Sequence, residues 1–220
     1  LDTDDSLLAV SAWNDNGQER NVRDNTFIYR SDFFPGLGWM LTSQIWSELE
    51  PKWPKGYWDD WLREPSQRKN RHILHPEVSR TLHYGSHGVS NGQYQGDFMS
   101  KIRLNDVDTK FRELDLSYLE KANWDRFYTT QVKQAQLTTQ GMLDRERLRD
   151  KAGSMHELRP NAKETQAYQI VYKNEREFER LAKWAGVMDN IKAHVPRTAY
   201  KGIVTTWFGN AKLHLVPEKF

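Results

Sequence analysis

Leu7-Leu8-Ala9-Val10-Ser11-Ala12-Trp13, followed at once by Asn14-Asp15-Asn16-Gly17, is the stretch from which the fold is read. An unbroken apolar run closed by four turn formers predicts a short buried strand. A second, weaker strand is expected at residues 27–30. Beyond it Pro35-Gly36-Leu37-Gly38 reads as a tight turn. Residues 39–48 then carry helical spacing, with Leu41, Ile45, Trp46 and Leu49 on one face, until Pro51 and Pro54 stop the pattern. Residues 57–63 predict a short helix limited by Pro65. Extended segments are expected at 73–74 and 78–84.

Further along, residues 85–96 hold Gly85, Gly88, Gly92 and Gly96 among Ser and Asn, the composition of a loop. Residues 98–104 suggest another strand. Residues 117–134 predict a helix with Ser117 as N-cap and Glu120 as its capping-box partner. Residues 138–163 are polar and weakly patterned, and read as loop with one helical turn. A strand at 168–172, an amphipathic helix at 175–185 closed by Gly186, and a hairpin turning at Gly209-Asn210 complete the chain. The order suggests an α/β segment over residues 1–85, a connecting region over 86–121 and a small α+β domain over 122–220.

Composition narrows the function classes. The chain has 220 residues, 28% charged and 37% hydrophobic, with nine each of Trp, Tyr and Phe. That aromatic content argues for a packed core rather than disorder. Net charge is +2 with the signs interspersed, which disfavours a nucleic-acid partner. There is no cysteine, hence no disulfide or thiolate metal site. No window approaches the ~20 apolar residues needed to span a bilayer. The opening Leu1-Asp2-Thr3-Asp4 reads as the start of a piece cut from a longer chain.

Candidate chemistry centres on Asp59 and Asp60, flanked by Trp58 and Trp61. Adjacent side chains on a helix point ~100° apart, so the two carboxylates are not expected to face one bound group. Spacing alone favours helix capping for the pair. The functional alternative is a general base beside aromatic sugar platforms, since six of the nine Trp lie between residues 13 and 61. Asp2-Thr3-Asp4-Asp5 imitates an acidic metal motif but lacks the apolar strand that should precede it; it reads as a solvated loop. His72, His75, His83 and His87 cluster locally, but Pro76 and Gly85 break any helix that would align them. The loop at 85–96 suits either a lid or an ordinary surface loop.

Taken together, the segments resemble the N-acetylglucosaminyltransferase I family. The likeness is carried by Val10-Ser11-Ala12-Trp13-Asn14-Asp15-Asn16-Gly17, Tyr29-Arg30-Ser31-Asp32-Phe33-Phe34-Pro35-Gly36-Leu37-Gly38-Trp39 and Glu48-Leu49-Glu50-Pro51-Lys52-Trp53-Pro54. It continues through Trp58-Asp59-Asp60-Trp61, Pro76-Glu77-Val78-Ser79-Arg80-Thr81, Gly88-Val89-Ser90, Gly186-Val187-Met188-Asp189 and Val195-Pro196-Arg197. It is weak at 18–26 and 138–170.

The resemblance implies the C-terminal half of a GT-A nucleotide-sugar transferase domain, followed by a donor-site loop and linker and a small α+β domain. It implies inverting transfer of GlcNAc from UDP-GlcNAc to the 2-hydroxyl of the α-1,3-arm mannose of an oligomannose N-glycan. Mn²⁺ would be the cofactor, and the setting a Golgi membrane protein with a type II anchor and a lumenal catalytic part. By position Asp59 matches the catalytic base, Trp58 lies at the donor sugar, and Ser90 matches a loop serine on the diphosphate. Asp60 and Arg197 are further substrate-binding candidates. The family's metal motif lies upstream of Leu1, so no metal ligand is assigned here and the chain alone is not expected to be active. Two positions that are a cysteine pair in vertebrate members are Ala9 and Ile73. The related O-mannose β-1,2-N-acetylglucosaminyltransferase and a non-catalytic carbohydrate-binding fragment are the alternatives; Ser31-Asp32-Phe33-Phe34-Pro35 looks more like the N-glycan enzyme.

Overall fold

A computed structural model describes residues 4–84, 94–150 and 166–220. The first part runs β1 (Leu7–Ser11), β2 (Ile28–Ser31), β3 (Trp39–Met40), α1 (Ser43–Leu49), α2 (Trp58–Arg63), α3 (Pro65–Arg68) and β4 (His72–Pro76). The second runs α4 (Lys121–Gln134), β5 (Gln136–Leu137), α5 (Gln140–Asp150), β6 (Ala167–Tyr172), α6 (Glu175–Ala185), β7 (Ile191–Lys192), β8 (Val195–Pro196), β9 (Val204–Phe208) and β10 (Ala211–Pro217). The architecture is mixed α/β. No helix among the described residues is long and apolar enough to cross a membrane.

One sheet has the order β2-β4-β1-β3, with β1 parallel to β4 and the two outer strands antiparallel. The opening apolar run is thus a central strand, which is why Leu8 and Ala9 are fully buried. Ala9 faces Ile73 across the β1–β4 pair, and both belong to one core cluster. The two positions that resemblance pairs as cysteines elsewhere are therefore neighbours here, filled by apolar side chains. Successive strand residues point to opposite faces. Accordingly Ile73 packs with Leu8, Leu49 and Leu62, whereas Leu74 packs with Trp124, Tyr128 and Tyr200 from the second part of the chain.

A second four-stranded sheet has the order β5-β6-β10-β9, with β6 parallel to β10 and the predicted hairpin β9–β10 antiparallel, and β7 and β8 form a separate antiparallel pair. Helix α6 lies where its spacing placed it. Asn174 caps it by accepting from Glu177 N at 3.0 Å, and Gly186 closes it at φ 80. Its buried face is Phe178, Leu181, Ala182 and Ala185.

Several local expectations need correction. Residues 39–48 are not one helix: Trp39 and Met40 pair with β1, and α1 starts only after Thr42, whose Oγ1 accepts from Ile45 N. Sheet closure overrides helical spacing at those two residues. Ser117 does not cap α4. Residues Ser117–Leu119 form a separate 3-10 turn, and Glu120 precedes the helix without a side-chain capping bond. Residues 78–84 form no strand, and 98–104 contain a 3-10 turn with bridges only at Ile102 and Leu104. Residues 140–150 are helical rather than loop, and the rest of the expected loop to 163 falls outside the described residues.

Polar groups tie the two sheets together. Glu77 is 2% exposed, and its Oε1 accepts from Trp207 Nε1 at 2.8 Å and Arg23 N at 2.6 Å. Its Oε2 lies 3.2 Å from Lys212 Nζ. Asn16 Oδ1 accepts from Met188 N at 2.8 Å, and Ser31 Oγ donates to Ala199 O at 3.0 Å.

Two buried histidines make this packing sensitive to acid. Burial pushes His75 down to about 4, outweighing the nearby Asp15 and Glu77 carboxylates that favour its charged form. Burial likewise pushes His214, bonded to Thr205 Oγ1 at 2.8 Å, down to about 3. Unfolded, both rings titrate near 6.5. Between these values the unfolded state binds more protons, so stability rises with pH there. The contribution is complete above about pH 6.5 and is lost as pH falls toward 4. Each ring should add up to about 1.4 kcal/mol per pH unit. Urea midpoints of the full-length protein at about pH 7 and about pH 5 measure it, and His75→Gln should flatten the dependence.

Candidate active site

The turn before β3 sets the floor of the site. A Cβ on Gly36 would lie 3.5 Å from Asp59 Cβ and 3.6 Å from Trp58 Cη2, so the turn packs directly on the start of α2. Gly38 has φ 59, and a Cβ there would sit 2.5 Å from Thr81 Cγ2; only glycine fits.

Helix α2 has two acidic residues in its first turn, where they complement the helix dipole. Contrary to expectation, both carboxylates face one group. Arg63 Nη1 donates to Asp59 Oδ2 at 2.9 Å and to Asp60 Oδ1 at 2.7 Å. Arg63 stands four residues from one and three from the other, so its guanidinium falls between them on the helix surface. This spacing was readable in the sequence; the arginine was the missed residue. Arg63 is 7% exposed and also donates through Nε to Phe34 O at 3.0 Å.

The two carboxylates differ in what remains free. Asp60 Oδ2 is taken by Lys192 Nζ at 3.3 Å. Partial burial pushes the Asp60 carboxyl up, but the Arg63 and Lys192 contacts outweigh it and hold the group below its ordinary value. Asp59 is 40% exposed, and no described residue hydrogen-bonds its Oδ1. Its anion is therefore oriented by one oxygen and open at the other.

Trp58 belongs to an indole stack. Its ring lies 6.0 Å from Trp53 at 18° and 5.4 Å from Trp39. The concentration of tryptophan in this half is thus largely one packed cluster, with Trp46 and Trp61 against Trp53. Arg197 lies farther back. Its Nη1 donates to Asp15 Oδ1 at 2.8 Å and its Nε to Asn190 Oδ1 at 2.7 Å. Its guanidinium is 5.1 Å from the Phe33 ring centroid, and that of Arg63 is 4.8 Å from the same ring. Phe33 and Asp15 were not singled out from sequence, because they join the site only through tertiary packing. Ser90, and most of the glycine-rich loop with it, falls outside the described residues.

Neither metal-like cluster gathers ligands. Asp4 pairs with buried Arg30 at 2.9 Å. His72 Nδ1 meets Asp32 Oδ1 at 2.7 Å, His75 Nδ1 meets Pro76 O at 3.1 Å, and His87 is not among the described residues. Among the described residues no group of three or more His, Cys, Asp or Glu side chains could hold a metal ion. A buried cavity of about 10 Å³ beside His75 and Glu77, and a groove of about 540 Å³ over α4, are both lined without Trp58, Asp59 or Asp60.

A mixed α/β chain with a carboxylate held on a short helix among indoles suits a carbohydrate-active protein, and comparison with known proteins is more specific. The model described as the GNT-I family matches residues 1–220, and the chain belongs to that family. It is 43% identical over 207 residues to the alpha-1,3-mannosyl-glycoprotein 2-beta-N-acetylglucosaminyltransferase of Arabidopsis thaliana. That match takes in 93% of this chain and 43% of the relative, so the chain spans less than half the length of the curated relative it matches.

Proposed function

We propose that this chain supplies the base-bearing part of an inverting β-1,2-N-acetylglucosaminyltransferase that moves GlcNAc from UDP-GlcNAc to the mannose 2-hydroxyl of an oligomannose N-glycan. The observation that carries the reading is the Asp59 carboxylate, oriented by Arg63 through one oxygen and open at the other, in a chain of this family. Asp59 Oδ1 takes the proton of the acceptor hydroxyl as that oxygen bonds to the anomeric carbon. The bond from that carbon to the UDP oxygen breaks on the opposite face, which inverts the centre. Arg63 holds the base by its other oxygen and keeps it aimed. Asp60, with both oxygens engaged, holds Arg63 and Lys192 in place.

The finer assignments belong to the same reading. Residues 1–85 form the C-terminal part of a GT-A domain, 86–121 the donor loop and linker, and 122–220 a small C-terminal domain. Trp58 lines the donor sugar, Ser90 meets the diphosphate, and Arg197 supports the site from behind Phe33. Among the described residues no group of side chains fits a metal site; on this reading the Mn²⁺ ligands lie upstream of Leu1. The setting is the Golgi lumen, with a membrane anchor also outside this chain.

The deciding experiment assays the full-length protein with UDP-GlcNAc on free oligomannose and on O-mannosyl peptide. A β-1,2-linked GlcNAc on the oligomannose arm is expected. Transfer to the O-mannosyl peptide alone overturns the choice of acceptor, and transfer to neither overturns the enzyme reading.

A further inference from the structure

We infer that Tyr57 is a platform for the acceptor oligosaccharide: its ring stacks on the apolar C–H face of a sugar whose own or neighbouring hydroxyl reaches Asp59. The inference rests on the reading of Asp59 as base.

Tyr57 is 74% exposed and immediately precedes Trp58, whose ring packs against Trp39 and Trp53. It holds a left-handed backbone, φ 51 and ψ 36, which crowds the Cβ of any L residue. Six other non-glycine residues share a positive φ: Lys69, Asn70, Ala193, His194, Thr198 and Lys201. Tyr57 is the one among them with a large apolar ring. Nothing local rewards that arrangement. Its side chain makes no capping bond, and no described residue stacks on the ring or hydrogen-bonds its hydroxyl. A strained backbone that holds an exposed ring next to Asp59, with no partner among the described residues, has the character of a ligand clamp.

The mounting is firm. The Tyr57 carbonyl accepts from Trp61 N at 3.0 Å and so starts α2. The next residue, Trp58, is locked in the indole stack. On the other side a Cβ added to Gly56 would meet nothing within 4 Å, so the approach is open. One residue, Trp58, separates Tyr57 from Asp59, a Cα distance of no more than about 7.6 Å. A neutral, polyhydroxylated ring with one C–H face is the chemistry that matches an exposed phenol at that distance from a base.

The test uses the full-length enzyme with UDP-GlcNAc and free oligomannose. Tyr57→Ala should raise the acceptor KM about 5- to 30-fold, equivalent to about 1–2 kcal/mol, with kcat and the donor KM changed less than about twofold. Tyr57→Phe should keep the acceptor KM, because the ring does the binding. Tyr57→Gly should raise the acceptor KM as alanine does while raising the melting temperature, since glycine relieves the left-handed strain. That pairing separates lost binding from lost folding. An unchanged acceptor KM in both the alanine and the glycine variant overturns the inference. So does a rise confined to glycopeptide acceptors, which assigns the ring to polypeptide instead. Transfer that survives Asp59→Asn removes the base, a result read from kcat and separate from any change in acceptor KM.

Discussion

Asp59→Asn in the full-length enzyme should lower kcat about 10²- to 10⁴-fold, the usual contribution of a positioned general base. The substitution is nearly isosteric, and its amide oxygen can still accept from Arg63, which now bonds Asp59 at 2.9 Å. What the substitution removes is the carboxylate oxygen proposed to receive the proton. The donor KM should hold, because the change leaves the Trp58 stack untouched. The melting temperature should hold as well. The Asp59–Arg63 pair is 40% exposed on its acidic side, and Arg63 keeps its Asp60 and Phe34 contacts. Asp60→Asn is the internal control. Asp60 has both oxygens engaged, by Arg63 and Lys192, so it is less free than Asp59 to take a proton and its loss should cost far less in kcat. Equal losses at the two positions would mean that Asp59 acts through the Arg63 network rather than as the base. Single-turnover rates at saturating donor and acceptor make the comparison free of binding effects.

How much of this was legible depends on whether a feature is local. The run Leu7 to Trp13 announced a central strand because burial requires apolar side chains. Helix α6 announced itself through its spacing and its closing Gly186, while the Asn174 cap came only with the structure. Trp39 and Met40 did not, because an apolar pair there fits a helix face equally well and only their pairing with β1 decides. Residue spacing also ranked Asp59 as a cap. The resemblance, carried by motifs along most of the chain, was what separated it from Asp60, and the structure adds a physical difference between the two in their occupied oxygens. The grip of Arg63 on both acids follows from the three- and four-residue spacing and was readable in principle. Phe33 between two guanidiniums was not, since Arg63 and Arg197 lie 134 residues apart in sequence and meet the ring only in the folded chain.

Glu77 is a second case, and removing it should have the largest effect on folding. Its carboxylate is 2% exposed and serves both sheets at once. Oε1 accepts from the Arg23 and Asp24 backbone amides and from Trp207 Nε1; Oε2 accepts from Tyr29 Oη and faces Lys212 Nζ. The Lys212 ammonium lies over the Tyr29 and Trp207 rings at 5.3 and 4.7 Å, so it has little water to fall back on. Glu77→Ala therefore leaves a cation and several donors unmatched in the interior. Breaking a buried pair from one side typically costs about 3–5 kcal/mol, and a melting-temperature drop on the order of 10 °C is expected. Lys212→Met in the Glu77→Ala background should recover part of that loss, because it removes the stranded charge and keeps the contact with the rings. If urea unfolding finds Glu77→Ala within about 1 kcal/mol of the parent, the carboxylate is not what joins the two sheets. The joint would then rest on the apolar contacts of Leu74 with Trp124, Tyr128 and Tyr200.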